Sequence, residues 1–206
     1  MRFLFDLNSP FMQFVSRFCD LVVLNLVYLL TCLPIFTIGA ATAALYATVF
    51  PMDTEREGKL LPTYFRAFGE NFRQGTAVFL LLALFGAATY YNMAAFTAPD
   101  ATLGYGILIV AVAIALVLCF VWAWVFPLIS RFQNTIPAML KNALLLAVGN
   151  LPRTLFVTVL NVFPWALLIV NLYAFLRLGF LWFSLYFSAA AYYNSRILKK
   201  PFDSLV

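Results

Sequence analysis

Long runs of apolar residues without a charged side chain dominate the chain, and their lengths predict its elements. Four of them run Thr76–Phe96, Leu103–Ser130, Thr154–Leu176 and Leu178–Ser195. Crossing a bilayer as a helix takes about 20 residues, with a range of about 17–25. Lipid offers no partner to an unpaired backbone group, and nothing in these runs alternates like a barrel strand. Each run therefore predicts a transmembrane helix.

The fifth run, Phe18–Phe50, has Asp20 as its only charge and Pro34 near its middle. As one straight helix it would reach about 50 Å, against a hydrocarbon core of about 30 Å. Proline removes a helical hydrogen bond, and Gly39 weakens continuity further. The run is thus one kinked span or a hairpin of two short ones broken near Pro34.

Two polar-faced segments separate these runs. Leu61, Phe65, Phe68 and Phe72 recur on one helical face, with Arg66, Glu70 and Arg73 opposite and Pro62 in the first turn. Thr54–Glu57 has the spacing of a capping box. Ile136–Leu151 carries Lys141 and Asn142 beside a broad apolar face, with Pro137 to start it and Gly149 to end it. Both segments predict amphipathic helices at the membrane surface or against the bundle. Val49-Phe50-Pro51 and Val125-Phe126-Pro127 precede the two segments in turn, which hints at a parallel internal repeat.

Charge placement separates the span counts. In a six-span reading, of all 13 Lys and Arg only Arg177 lies outside. In a five-span reading Arg2 and Arg17 join it. Basic residues near span ends favour the cytoplasmic side, so six spans with both termini inside are expected. Five remain the alternative. Reading Met1–Arg17 as mixed in character, with Asp6, Asn8 and Pro10, gives no expectation of a cleaved signal peptide.

Composition fits that reading: 206 residues, 65% hydrophobic and 10% charged, leave too little polar surface to coat a water-facing globule. The expected fold is all-α, a polytopic helical bundle formed by one membrane domain over 1–206. The net charge of +5 is scattered between spans and does not form one patch, which argues against nucleic acid. Small residues on a helical spacing, Gly39, Ala43 and Ala47 with Ala40 and Ala44, let backbones approach closely and mark helix packing or a homo-oligomer contact. Trp122, Trp124, Trp165, Tyr173, Tyr192 and Tyr193 are expected in interfacial belts.

Candidate chemistry is sparse. The sequence has no His, and Cys19, Cys32 and Cys119 lack metal-ligand spacing and read as buried hydrophobes. No phosphate-binding Gly loop and no zinc-protease motif occurs. No enzyme activity, metal or cofactor is expected. Polar uncharged residues within the runs are Asn25, Thr31, Thr37, Thr42, Asn92, Asn161 and Asn171. They imply interhelical hydrogen bonds or the lining of a solute path.

Five stretches together carry a resemblance: 33–46 (Leu33-Pro34 onward to Leu45-Tyr46), 65–74 (Phe65-Arg66 to Arg73-Gln74), 126–135 (Phe126-Pro127 to Asn134-Thr135), 141–154 (Lys141-Asn142 to Arg153-Thr154) and 193–196 (Tyr193-Asn194-Ser195-Arg196). In this order the chain resembles the YesL family, small bacterial membrane proteins, with Gln133 standing where an acidic residue is expected. That resemblance implies a multi-pass protein of the bacterial plasma membrane associated with carbohydrate uptake of the ABC type. Permease or ATPase subunits are then the expected partners. Candidate contacts are Gly39, Ala40, Ala43, Ala44 and Ala47 within the bundle, and Phe65, Phe68, Phe72, Lys141 and Asn142 on the amphipathic segments. A stand-alone passive facilitator and a membrane adaptor for sugar-responsive signalling are the alternatives.

Overall fold

The computed structural model describes residues 10–52, 60–96 and 104–203. Among these residues there is no strand. The helices are α1 (Pro10–Thr31), α2 (Ile38–Val49), α3 (Leu60–Phe96), α4 (Gly104–Arg131), α5 (Ile136–Gly149), α6 (Leu151–Val170), α7 (Leu172–Arg177), α8 (Gly179–Leu181) and α9 (Phe187–Asp203). A 3₁₀ turn, Ile35–Thr37, precedes α2, and a π-helical segment, Trp182–Tyr186, joins α8 to α9. Thr54–Glu57, Arg2, Arg56 and Lys59 lie outside the described residues.

Among the described residues, four helices are long and apolar enough to cross a bilayer: Phe11–Thr31, Leu60–Ala94, Leu108–Arg131 and Leu151–Val170. They differ in part from the spans the sequence predicts. The expected short first half of the Phe18–Phe50 run extends back to Pro10, which gives α1 its 22 residues. The amphipathic segment at Leu61–Phe72 is not a separate helix, because α3 continues through Gly75 into the apolar run for 37 residues. The expected span Thr154–Leu176 breaks at Asn171, whose side-chain Oδ1 accepts from the Ala174 N–H and starts α7. Leu178–Ser195 is helical from Gly179 but passes through the π segment. Ile136–Gly149 forms a helix of its own, as its Pro137 and Gly149 predict.

The chain reverses near Pro34. Thr37 Oγ1 donates to the carbonyls of Thr31 and Pro34, tying the end of α1 to the 3₁₀ turn. Along the π segment and α9 the partners of α1 run in reverse order: Arg17 meets Tyr192, the Leu21 carbonyl meets Ser188, and Asn25 meets Trp182. The partners of α2 run forward, Tyr46 to Asn194 and Phe50 to Phe202. Helices α1 and α2 therefore run in opposite senses, as a hairpin requires. With 12 residues, α2 reaches about 18 Å, short of a full crossing.

Helix α2 is the most enclosed element. Gly39, Ala40, Ala41, Ala43, Ala44, Leu45, Tyr46, Thr48 and Val49 are buried. Its tightest contact is with α3 at a glycine pair. A Cβ at Gly39 would stand 2.1 Å from the Gly75 carbonyl oxygen, and one at Gly75 would stand 2.8 Å from Ala40 Cα. Around this crossing pack Val78 and Phe79 of α3 and Trp122, Trp124 and Phe126 of α4. The Trp124 Nε1–H donates 2.9 Å to Thr154 Oγ1, which itself donates to the Ala147 carbonyl, joining α4 to α5 and α6.

Candidate ligand cavity

The polar residues of α1, α2, α6 and α9 converge on one side of this core. The geometry begins with Pro164, buried inside α6. Proline has no N–H, so it leaves the carbonyl four residues earlier without its helical donor. That carbonyl belongs to Leu160, and the Tyr186 hydroxyl donates to it at 2.7 Å. Tyr186 is the last residue of the π segment.

The π segment is held by a side chain from the far end of the chain. Asn25 of α1 is fully buried. Its Nδ2 donates to the carbonyls of Trp182 at 3.0 Å and Phe183 at 2.8 Å, and its Oδ1 accepts from the Ser188 N–H at 3.0 Å. These are backbone groups that a π insertion pulls out of ordinary helical pairing. One amide satisfies all three.

Between these features lies a cavity of about 230 Å³. Tyr28 of α1 contributes to it, as do Ile38, Thr42, Leu45 and Tyr46 of α2, Phe79 of α3 and Trp122 of α4. Leu160, Asn161 and Trp165 of α6, with Tyr186, Phe187, Ala190 and Ala191, complete the lining. No lining residue is ionisable as a carboxylate, ammonium or guanidinium. Asn194 Nδ2 donates 3.2 Å to the Tyr46 hydroxyl and 3.1 Å to Asn161 Oδ1, so α2, α6 and α9 meet in one small network. Thr42 Oγ1 donates to the Ile38 carbonyl and stands 3.4 Å from the Tyr28 hydroxyl. Such a site offers neutral hydrogen-bonding groups among aromatic walls, and it has no acid–base or nucleophilic pair. Among the described residues no group of His, Cys, Asp and Glu has metal-binding geometry.

The residues singled out in the sequence fall in three places. Gly39, Ala40, Ala43 and Ala44 are buried inside the bundle, and Ala47 is half-buried. Phe68 and Phe72 are half-buried and Phe65 is exposed, because the buried stripe of α3 here is Tyr64 and Ala67. The Tyr64 hydroxyl finds the Thr31 hydroxyl at 2.6 Å, which fixes that rotation of α3. On α5, Lys141 is exposed and Asn142 half-buried, while Met139, Ala143 and Ala147 face inward. None of these lines the cavity.

Three further expectations change. Trp124 and Tyr192 are buried and Trp122 is half-buried, so these rings pack against other helices instead of facing outward. Cys19 is exposed on α1. Of the in-span polar residues, Asn25, Thr31, Thr42 and Asn161 link helices, whereas among the described residues Asn92 bonds to Ala88 of its own helix. Tyr28, Tyr46, Tyr186 and Asn194 were missed as site residues. Pro164 with an aromatic hydroxyl elsewhere was the available signal, since a proline inside a span always frees a carbonyl.

The family described as "Protein of unknown function, DUF624" matches residues 21–93. The match covers the second half of α1, all of α2 and most of α3, and is consistent with the YesL resemblance. No curated protein matches the chain, and no solved structure matches it.

Proposed function

We propose that this is a non-enzymatic, multi-pass protein of the bacterial plasma membrane, accessory to carbohydrate uptake. In this reading it acts through helix contacts with the permease or ATPase subunits of an ABC-type importer. The observation that carries the partner contact is the length of α3. Its 37 residues reach about 55 Å, and even at a tilt of about 40° a core of about 30 Å takes up only about 39 Å. About three turns of α3 must then leave the hydrocarbon. Arg66, Glu70 and Arg73 are exposed near its N-terminal end, with Arg66 Nε 3.1 Å from Glu70 Oε1. Desolvating those charges in lipid is expensive, so this end is the part that leaves the hydrocarbon, its charged face free while Tyr64 and Ala67 on the other face stay packed against the bundle. A projecting helix with a charged face and exposed Leu61 and Phe65 suits a protein partner at the membrane surface.

The test is purification of the tagged chain from its own cells in mild detergent, after photo-crosslinking from position 66. Recovery of importer permease or ATPase subunits is the expected result. Crosslinks to lipid alone would overturn the reading. A passive facilitator is the second reading, favoured by the cavity. Solute flux into vesicles holding the pure protein would support it, and tight vesicles for every sugar tried would count against it.

A further inference from the structure

We propose that the cavity between α2, α4, α6 and α9 is a binding site for a small uncharged ring molecule bearing a hydroxyl group, of the phenol or alicyclic-alcohol class. The inference needs only the cavity and holds under either reading of function. Its volume, about 230 Å³, lies below the roughly 300–1,000 Å³ of sites for drug-sized ligands, so a single ring fills it. An ionised ligand would lose its hydration there and find no opposite charge among the lining residues.

Hydrogen-bond accounting sets the polar end of the ligand. Tyr46 accepts from Asn194, which leaves its own proton to give. Asn161 accepts from Asn194 through Oδ1, which leaves its amide protons to give. Tyr186 spends its proton on the Leu160 carbonyl and Thr42 spends its own on the Ile38 carbonyl, so both oxygens remain as acceptors. One ligand hydroxyl can therefore accept and donate at once. The rest of the wall, including Phe79, Trp122 and Trp165, is apolar. A molecule hydroxylated on every edge would bury groups with no partner.

A second observation points the same way. Just behind the lining, Asn194 Oδ1 and Thr158 Oγ1 are buried and have no hydrogen-bond partner among the described residues. Asn194 bonds to Asn161, and Thr158 lies one turn before Asn161 on α6. Buried polar groups are ordinarily satisfied. Two orphans flanking one lining amide mark a network with capacity for another hydrogen-bonding group.

The experiment titrates para-bromophenol into the full-length protein in detergent and follows tryptophan emission. Bromine quenches indole on contact, and Trp122 and Trp165 both line the cavity. Expected is a saturable quench, reversed by unbrominated phenol and not by glucose. Asn161→Leu should weaken it about tenfold, a loss of about 1.4 kcal/mol. Ala191→Phe, which fills the space, should abolish it while thermal unfolding stays cooperative. Ionised para-bromobenzoate should give no saturable phase. A quench that rises linearly with probe, or one that survives Ala191→Phe in a protein that still unfolds cooperatively, overturns the proposal. So does displacement by glucose as effective as that by phenol. Should the filled variant fail to fold, the wild-type competition decides: no displacement by phenol sinks the site.

Discussion

A single methyl group probes the contact on which the packing of α2 depends. At Gly39 and Gly75 the two backbones approach so closely that a Cβ would overlap the opposite main chain, at 2.1 Å and 2.8 Å respectively. Backbone cannot rotate away as a flexible side chain can, so the helices must separate. Overpacking of this kind costs typically about 1–3 kcal/mol, occasionally more. Gly69, six residues earlier on the same helix, has no atom within 4 Å of such a Cβ. There alanine should stabilise the helix by about 0.5–1 kcal/mol, since glycine loses more chain freedom on folding. Thermal unfolding in detergent should show Gly75→Ala melting well below the parent and Gly69→Ala at or above it. Equal melting of the two variants would refute the crossing. Asn25 offers a second probe. Asn25→Leu removes three bonds to the backbone of the π segment and α9, each worth about 0.6 kcal/mol in a membrane bundle. The expected loss is about 2 kcal/mol, read in the same melts. Asn25→Ala should lose at least as much, because it also leaves a void. Unchanged melting in both variants would show that the π segment does not rely on this side chain.

At the scale of elements, local pattern proved readable where a chemical rule acts within a few residues. Pro34 ends one helix run and Pro137 with Gly149 brackets α5 because caps and breaks depend on neighbours along the chain. The fusion of the Leu61–Phe72 segment to the following span was not readable in this way. No breaker stands between Phe72 and Thr76 except Gly75, and there the glycine serves a close approach to Gly39 and Ala40, not a turn. The cavity was hidden for a related reason. Its network joins Tyr46 to Asn194 and Asn25 to Trp182, pairs more than a hundred residues apart, and periodicity carries no record of such partners. The long α3 makes its own prediction. In a cysteine-free background, thiols placed at Arg66 and Glu70 should react readily with a water-soluble maleimide. Thiols at Leu84 and Phe85, exposed on the same helix but deep in its apolar run, should not. Comparable rates at both pairs would mean that α3 lies wholly in water or wholly in lipid, and would remove the basis for a projecting handle.

For the whole molecule the decisive quantity is which ends share a face. Arg17 Nη1 donates 2.8 Å to the Tyr192 hydroxyl, and Arg196 donates to the same oxygen. The amino-terminal part of α1 and the carboxyl-terminal part of α9 therefore sit side by side. Arg131 joins this region through Asp203 at 3.2 Å and through the rings of Phe50 and Phe202. Arg177 stands apart, over the Tyr173 ring, before α8 begins. From Gly179 to Asp203 the helical run reaches about 37 Å, more than the hydrocarbon core of about 30 Å. One cation thus lies a membrane's thickness from Lys199 and Lys200, which is the separation that the positive-inside bias requires. A kinked single span in place of the α1–α2 hairpin would put Arg17 and Arg196 on opposite faces, and their shared tyrosine forbids that. The topology we propose from these contacts has an even number of crossings, with both described ends on the cytoplasmic side. In a cysteine-free background, a thiol at Tyr173 should be labelled by an impermeant maleimide on intact cells. Thiols at Lys141 and Lys199 should be labelled only after the cells are opened. Labelling of position 199 on intact cells, with position 173 protected, would invert the molecule. Labelling of positions 17 and 199 from opposite sides would break the hairpin itself.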